Sequence, residues 1–279
     1  MPESVLGFHH RSLEGSEAID SVVQNVVIVR SILFNILFYL NLVVLLFVAL
    51  ITLALPRRAV LKMAELWGRV SVWLLRVVCG TKVEFRGLEN LPDGALIVAA
   101  KHQSTWETFA LLRLFDDFTF IVKRELMWIP IFGWCMWKGG MVPVNRGAGS
   151  QALNDMTARA KKEIQSGRQL IIFPEGTRRA PGAAPRYKFG VAHLYAEVGM
   201  PCVPVALNSG LFWPRRALQR LPGTIVVEFL PAIPSGLNKD VFMRRLQADI
   251  ETATERLVAE GRAELASLGI ASSAQTRSD

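Results

Sequence analysis

Ala95-Leu96-Ile97-Val98-Ala99-Ala100-Lys101-His102-Gln103-Ser104-Thr105-Trp106-Glu107 holds the pattern on which the reading of this chain turns. Residues 95–100 are an unbroken small and apolar run of strand length, as expected of a strand covered on both faces. Residues 105–115 read as a helix. Between them lies a turn with a histidine and, five residues later, a glutamate. An imidazole is a natural general base near neutral pH, and a carboxylate beside it fixes its tautomer and stabilises its cation. Five residues are about 500° of helix rotation, so His102 must precede the helix if it is to meet Glu107. On this stretch alone a second role is favoured: Ser104-x-x-Glu107 is a capping box, in which Glu107 would close the helix start.

Outward from this stretch, short strand-like runs alternate with helical ones. Strands are expected at 82–86, 95–100, 118–122, 141–144, 169–173, 202–207 and 224–230, and helices at 105–115, 125–137, 150–166, 188–198 and 239–267. That alternation predicts an α/β fold, a mixed sheet covered by helices, over residues 81–270. Residues 271–279 are small and polar and are expected to be a disordered tail.

Upstream the character changes. Residues 31–55 carry no formal charge, and about 20 apolar residues suffice to span a bilayer core. Pro56 ends the run, and Arg57, Arg58, Lys62, Arg69 and Arg76 follow. That excess of positive charge places the α/β domain on the cytoplasmic face of the cell membrane. In residues 60–79 a narrow stripe of Lys62, Glu65, Arg69 and Arg76 faces a broad apolar surface with Trp67 and Trp73, as expected of a helix lying in a membrane interface. Residues 1–80 thus read as a flexible polar tail (1–20) followed by membrane-anchoring helices. Whether the two helices span the membrane or form a hairpin in one leaflet is open at this level.

The chain has a formal net charge of +8. Nucleic acid is one partner for such a charge, but the basic residues gather beside the membrane segment, where anionic lipid accounts for them. Cys79, Cys135 and Cys202 are scattered, with no disulfide or zinc spacing, and each reads as a small core residue. No metal site is expected. Gly147-x-Gly149-x-x-Ala152 has the outline of a nucleotide-binding turn, but no acid ends a strand about 20 residues on. Trp128, Trp134 and Trp137 are read as one apolar helix face, in the core or lining an acyl pocket. His193 is read as structural.

Two further stretches share the placement of His102. Phe173-Pro174-Glu175-Gly176-Thr177-Arg178 ends a buried strand, and Gly139-Gly140-Met141-Val142-Pro143-Val144-Asn145-Arg146 ends another. In open α/β sheets, ligands bind beyond the carboxyl ends of the strands. A base and two arginines on that edge suggest a hydroxyl deprotonated beside a bound phosphate, since a guanidinium fork matches phosphate oxygens.

These blocks, in this order and closed by Val203-Pro204-Val205, resemble the glycerolipid acyltransferase family, most closely its 1-acylglycerol-3-phosphate (lysophosphatidic acid) acyltransferases. Lys123-x-Glu125-Leu126 and Lys188-Phe189-Gly190 are similar to segments that this family carries between its blocks. The resemblance runs from about Val83 to Leu230. It implies His102 as base and Glu107 as its orienting acid. It also implies a phosphate site from Arg146, Glu175, Gly176, Thr177, Arg178, Lys123 and Lys188, with Pro204 and Trp106 in acyl-site or structural roles. The reaction implied moves an acyl chain from coenzyme A or acyl carrier protein to the free hydroxyl of lysophosphatidic acid, giving phosphatidic acid in phospholipid biosynthesis. The thioester is a co-substrate, and no cofactor is required. Another lysolipid or glycerol-3-phosphate is the alternative acceptor. A membrane-anchored nucleotide-binding or scaffold protein is the alternative of another class. Two positions depart from the family pattern: Glu107 stands for the usual aspartate, and Asn145 for the usual acid before the arginine.

Overall fold

A computed structural model describes residues 3–145 and 149–270, with residues 3–20 as backbone alone. Seven strands form one sheet: β1 (Thr81–Arg86), β2 (Leu96–Ala100), β3 (Phe118–Lys123), β4 (Val142–Val144), β5 (Gln169–Ile172), β6 (Cys202–Leu207) and β7 (Gly223–Phe229). Their order is β1-β7-β6-β2-β5-β3-β4. All neighbours are parallel except β6 and β7, so the sheet is mixed, as the alternation of elements implied. The carboxyl ends of β2, β3, β4, β5 and β6 therefore share one edge.

The opening stretch sits at the centre. β2 lies between β5 and β6 and is buried along its whole length. Leu96, Val98 and Ala100 enter one core layer, while Ile97 and Ala99 enter the other. The first layer packs under two long N-terminal helices, α1 (Glu3–Thr52) and α2 (Arg57–Leu74). The second is covered by α5 (Gly149–Gln165), α6 (Gly190–Val198) and α8 (Lys239–Ser267). Alternating burial on a strand covered on both sides explains why its sequence has no polar face.

Two expected helices are shorter than the pattern suggested. The run after β2 is one turn, α3 (Glu107–Ala110), continued as a 3-10 segment Leu111–Leu114. Residues 125–137 divide into a 3-10 segment Arg124–Trp128 and α4 (Phe132–Lys138). Pro130 is the cause: it disfavours helix at Ile129, and Ile131 then adopts φ 64° to re-enter one. A short α7 (Ser209–Phe212) after β6 was not foreseen.

The N-terminal region also differs from expectation. The helix begins at Glu3, so residues 3–20, read as a tail, continue α1. Over Ser21–Thr52 it is long and apolar enough to cross a membrane. Yet its middle is fastened to the α/β domain. Arg220 N–H donates to Ser31 Oγ at 2.8 Å, and Asn35 Nδ2 donates to the Leu218 carbonyl at 2.9 Å. Phe34 and Phe38 pack edge-on to Trp213. The returning α2 is fastened too, since Arg57 donates to Asp117 at 2.6 Å. Trp67, expected at headgroup level, instead lies inward against Phe38 and Phe109, while Trp73 remains exposed. Residues 271–279 lie outside the described residues.

Candidate active site

The turn after β2 brings His102 and Glu107 together: His102 Nδ1 is 2.9 Å from Glu107 Oε1. Glu107 is wholly buried, and four donors converge on it. Besides the imidazole, Oε1 accepts the backbone N–H groups of Gln103 and Ser104, each at 2.7 Å. Oε2 accepts from Ser209 Oγ at 2.8 Å. The Ser104 bond is the reciprocal half of a capping box, and the cap hydroxyl accepts from Trp106 N–H at 3.1 Å. Capping and orienting are thus not alternatives here; one carboxylate does both. With Nδ1 held by that carboxylate, Nε2 is the nitrogen left for a substrate proton.

Phe173, from the block after β5, stacks on the imidazole with centroids 4.1 Å apart. The next residues close over the same turn. Arg179 N–H donates to the His102 carbonyl at 2.8 Å. Arg178 donates to Thr105 Oγ1 at 2.5 Å, which sets the guanidinium beside the turn. Gly176 adopts φ 65°, and a Cβ there would lie 3.5 Å from Lys188 Cγ. Lys188 itself is fixed by its N–H to the Pro174 carbonyl at 2.8 Å. Gly176, exposed Thr177, Arg178 and Lys188 thus gather within one loop pair beside His102.

Glu175 requires correction. It is buried and turned inward: Oε1 pairs with Lys101 Nζ at 3.0 Å, and Oε2 accepts the His102 N–H at 3.0 Å. A carboxylate so placed cannot serve a phosphate; it holds the histidine backbone. Burial pushes its carboxyl up from the ordinary value, opposed by the Lys101 ammonium and the His102 N–H. Lys101 also bonds Glu251 at 2.6 Å, and Tyr187 donates to that same Glu251 at 2.8 Å. A buried chain of charges from α8 therefore braces the backbone under the candidate base.

The other expected residues take distinct places. Lys123 ends β3 on the same sheet edge, exposed, 3.3 Å from Glu125. Arg146 lies outside the described residues, as do Gly147 and Ala148 of the glycine-rich turn. Trp106 is fully buried in the layer beneath the site. Pro204 sits inside β6, in register with Ala99. Trp128, Trp134 and Trp137, expected in the core or an acyl pocket, are exposed instead. His193 faces Lys239 at 3.4 Å, away from these groups.

Lys101, Gln103, Ser209 and Glu251 were missed by sequence reading. Gln103 Oε1 accepts from Gly210 N–H at 3.0 Å, next to the Ser209 contact, so the start of α7 is latched to the turn from both sides. The available signals were modest: Lys101 adjoins His102, and Ser209 follows a strand.

An acyltransferase family model matches residues 82–208. The 1-acyl-sn-glycerol-3-phosphate acyltransferase of Pseudomonas aeruginosa is 38% identical over 167 residues, 60% of this chain and 65% of that protein. The chloroplastic BAT2 protein of Brassica napus, of the same enzyme name, is 33% identical over 146 residues, 52% of this chain and 41% of that one. The match thus spans less than two thirds of either relative. The crystal structure of the 1-acyl-sn-glycerophosphate (LPA) acyltransferase PlsC from Thermotoga maritima superposes with a TM-score of 0.68, covering 82% of this chain and 97% of that one at 23% identity. That likeness establishes a shared fold. The motif blocks fall within the span that the family model matches, residues 82–208.

Proposed function

We propose that this chain transfers an acyl group from a thioester to the free hydroxyl of 1-acylglycerol-3-phosphate, giving phosphatidic acid. The observation that carries the reading is the His102–Glu107 contact of 2.9 Å at the sheet edge where Arg178 and Lys188 also gather. His102 Nε2 takes the hydroxyl proton, and the oxygen attacks the thioester carbonyl carbon. The tetrahedral species collapses as the carbon–sulfur bond breaks, and the imidazolium returns its proton to the leaving thiolate. Buried Glu107 stabilises the imidazolium between those steps. Arg178 and Lys188, with Lys123 further along the edge, supply cations for the acceptor phosphate, and Arg146, which follows β4 in sequence, is assigned the same role. The relatives' names agree with this acceptor.

The enzyme works at the membrane, with the α/β domain on the cytoplasmic side. The α1–α2 hairpin lies in one leaflet, because both Asn35 of α1 and Arg57 of α2 are bonded to the same domain. Purified full-length protein, offered several lysolipids and glycerol-3-phosphate with either acyl-coenzyme A or acyl carrier protein thioester, is the test. The expected product is phosphatidic acid from lysophosphatidic acid. Equal acylation of a lysolipid without an exposed phosphate would overturn the acceptor assignment.

A further inference from the structure

The segment between β3 and β4 has a surface that the proposed chemistry leaves unused. Trp128, Trp134 and Trp137 are 67%, 53% and 76% exposed, and Ile129 beside them is exposed as well. Single exposed apolar residues are ordinary, but three indoles on fifteen residues of chain or fewer mark an interaction surface. The segment is a built one. Ile131 holds a positive φ that side-chain-bearing residues rarely adopt, and a Cβ at Gly133 would meet the Met127 carbonyl at 2.1 Å. The N–H groups of Phe132 and Gly133 close the bend onto the Pro130 and Ile129 carbonyls, each at 2.7 Å.

Two features identify the occupant. The first is charge: Lys123, Arg124 and Lys138 stand against the single acid Glu125, and Arg124 lies 5.9 Å over the Trp128 ring. Indoles mixed with cations suit the headgroup level of an anionic bilayer. The second is continuity: Gly139, just past α4, abuts Leu61 of α2 at 3.5 Å from its would-be Cβ. The aromatic segment therefore borders the hairpin, whose Leu66 and Trp73 also face outward.

We infer that residues 124–138 are a second membrane-contacting element, seated at the headgroup level of an anionic bilayer beside the hairpin. This rests on the membrane-bound reading of the hairpin and adds a function for that reading. Since the segment leaves β3 at Lys123, it holds the carboxyl edge of the sheet against the leaflet. A lysolipid then reaches His102 without leaving the bilayer.

The test uses full-length protein with phosphatidylglycerol vesicles, plain and brominated near the headgroup. Wild type is compared with Trp137→Ser and with the triple variant Trp128→Ser/Trp134→Ser/Trp137→Ser. Expected are quenching of wild-type fluorescence by brominated lipid, loss of most of that quenching in the triple variant and a partial loss in the single one, with flotation retained through α1 and α2. The KM for vesicle-embedded acceptor rises about five- to tenfold, while turnover of a water-soluble short-chain acceptor is unchanged. Floating protein whose quenching is the same in all three forms overturns this inference alone. So does an equal loss with the water-soluble acceptor in the Trp137→Ser protein at an unchanged melting temperature, which would mean that the indoles grip substrate or a carrier protein. Wild-type protein that does not float overturns the hairpin reading and this one together.

Discussion

Glu107 carries two duties on one carboxylate, and they separate by substitution. Gln keeps an oxygen for the three donors at Oε1, and its amide can donate to Ser209, whose hydroxyl can accept as well as donate. What Gln lacks is the negative charge facing the imidazolium. Glu107→Gln is therefore expected to lower turnover by about 10²-fold or more with little change in melting temperature. Thermal unfolding and steady-state rates on the same sample check this; a large stability loss with near-normal turnover would leave only the cap. Glu107→Asp, one methylene shorter, should retain part of the activity. The Lys101 bridge predicts a different signature. Lys101→Met leaves Glu175 and Glu251 facing each other without their cation, a loss of about 3–5 kcal/mol for a broken buried pair. Adding Glu175→Gln should recover part of that in denaturant unfolding. The His102–Glu107 pair was legible because both members lie within one turn. The Lys101–Glu175–Glu251 chain was not, because its members come together only through the sheet and α8, from positions 74 and 150 residues apart.

At the scale of elements, strand positions were legible because a strand buried on both faces leaves an unbroken apolar run. Every expected strand is present within one or two residues of its predicted ends. The helices were less so. The apolar spacing of residues 125–137 suggested one helix with its tryptophans inward, whereas Pro130 divides it and the indoles face outward. Periodicity finds an apolar face but does not say whether protein or lipid covers it. The docking of α2 rests on a close approach that a helical wheel cannot show. A Cβ on Gly68 would lie 2.5 Å from the Phe109 carbonyl, in the turn that follows Glu107. Gly68→Ala must push α2 off α3, and overpacking of this kind costs about 1–3 kcal/mol. The expected outcome is a lower melting temperature with easier proteolysis between α2 and β1. An unchanged or higher melting temperature would show that the two elements give way freely.

For the molecule as a whole, the sheet edge and the apolar hairpin belong to one arrangement. The sheet brings a candidate base, a carboxylate in contact with it and several cations to one edge, and in the proposed function the hairpin holds that domain on the lipid that supplies the acceptor. The order of motif blocks along the chain made the first part readable, since the first three blocks each come at the end of a strand and parallel strands deliver their ends together. The second part was readable only as an apolar run; that α1 is fastened along the domain through Ser31 and Asn35 depends on a loop at 218–220 with no sequence mark. The claim joining both parts is that His102 removes the acceptor proton. Its most direct measurement is the rate of phosphatidic acid formation by full-length His102→Ala protein on vesicles containing lysophosphatidic acid, at saturating thioester. A fall of about 10²–10⁴-fold, with vesicle binding and melting temperature as in the wild type, is the predicted result. A variant that keeps more than about a tenth of the wild-type rate would contradict it, because losing a general base costs more than that.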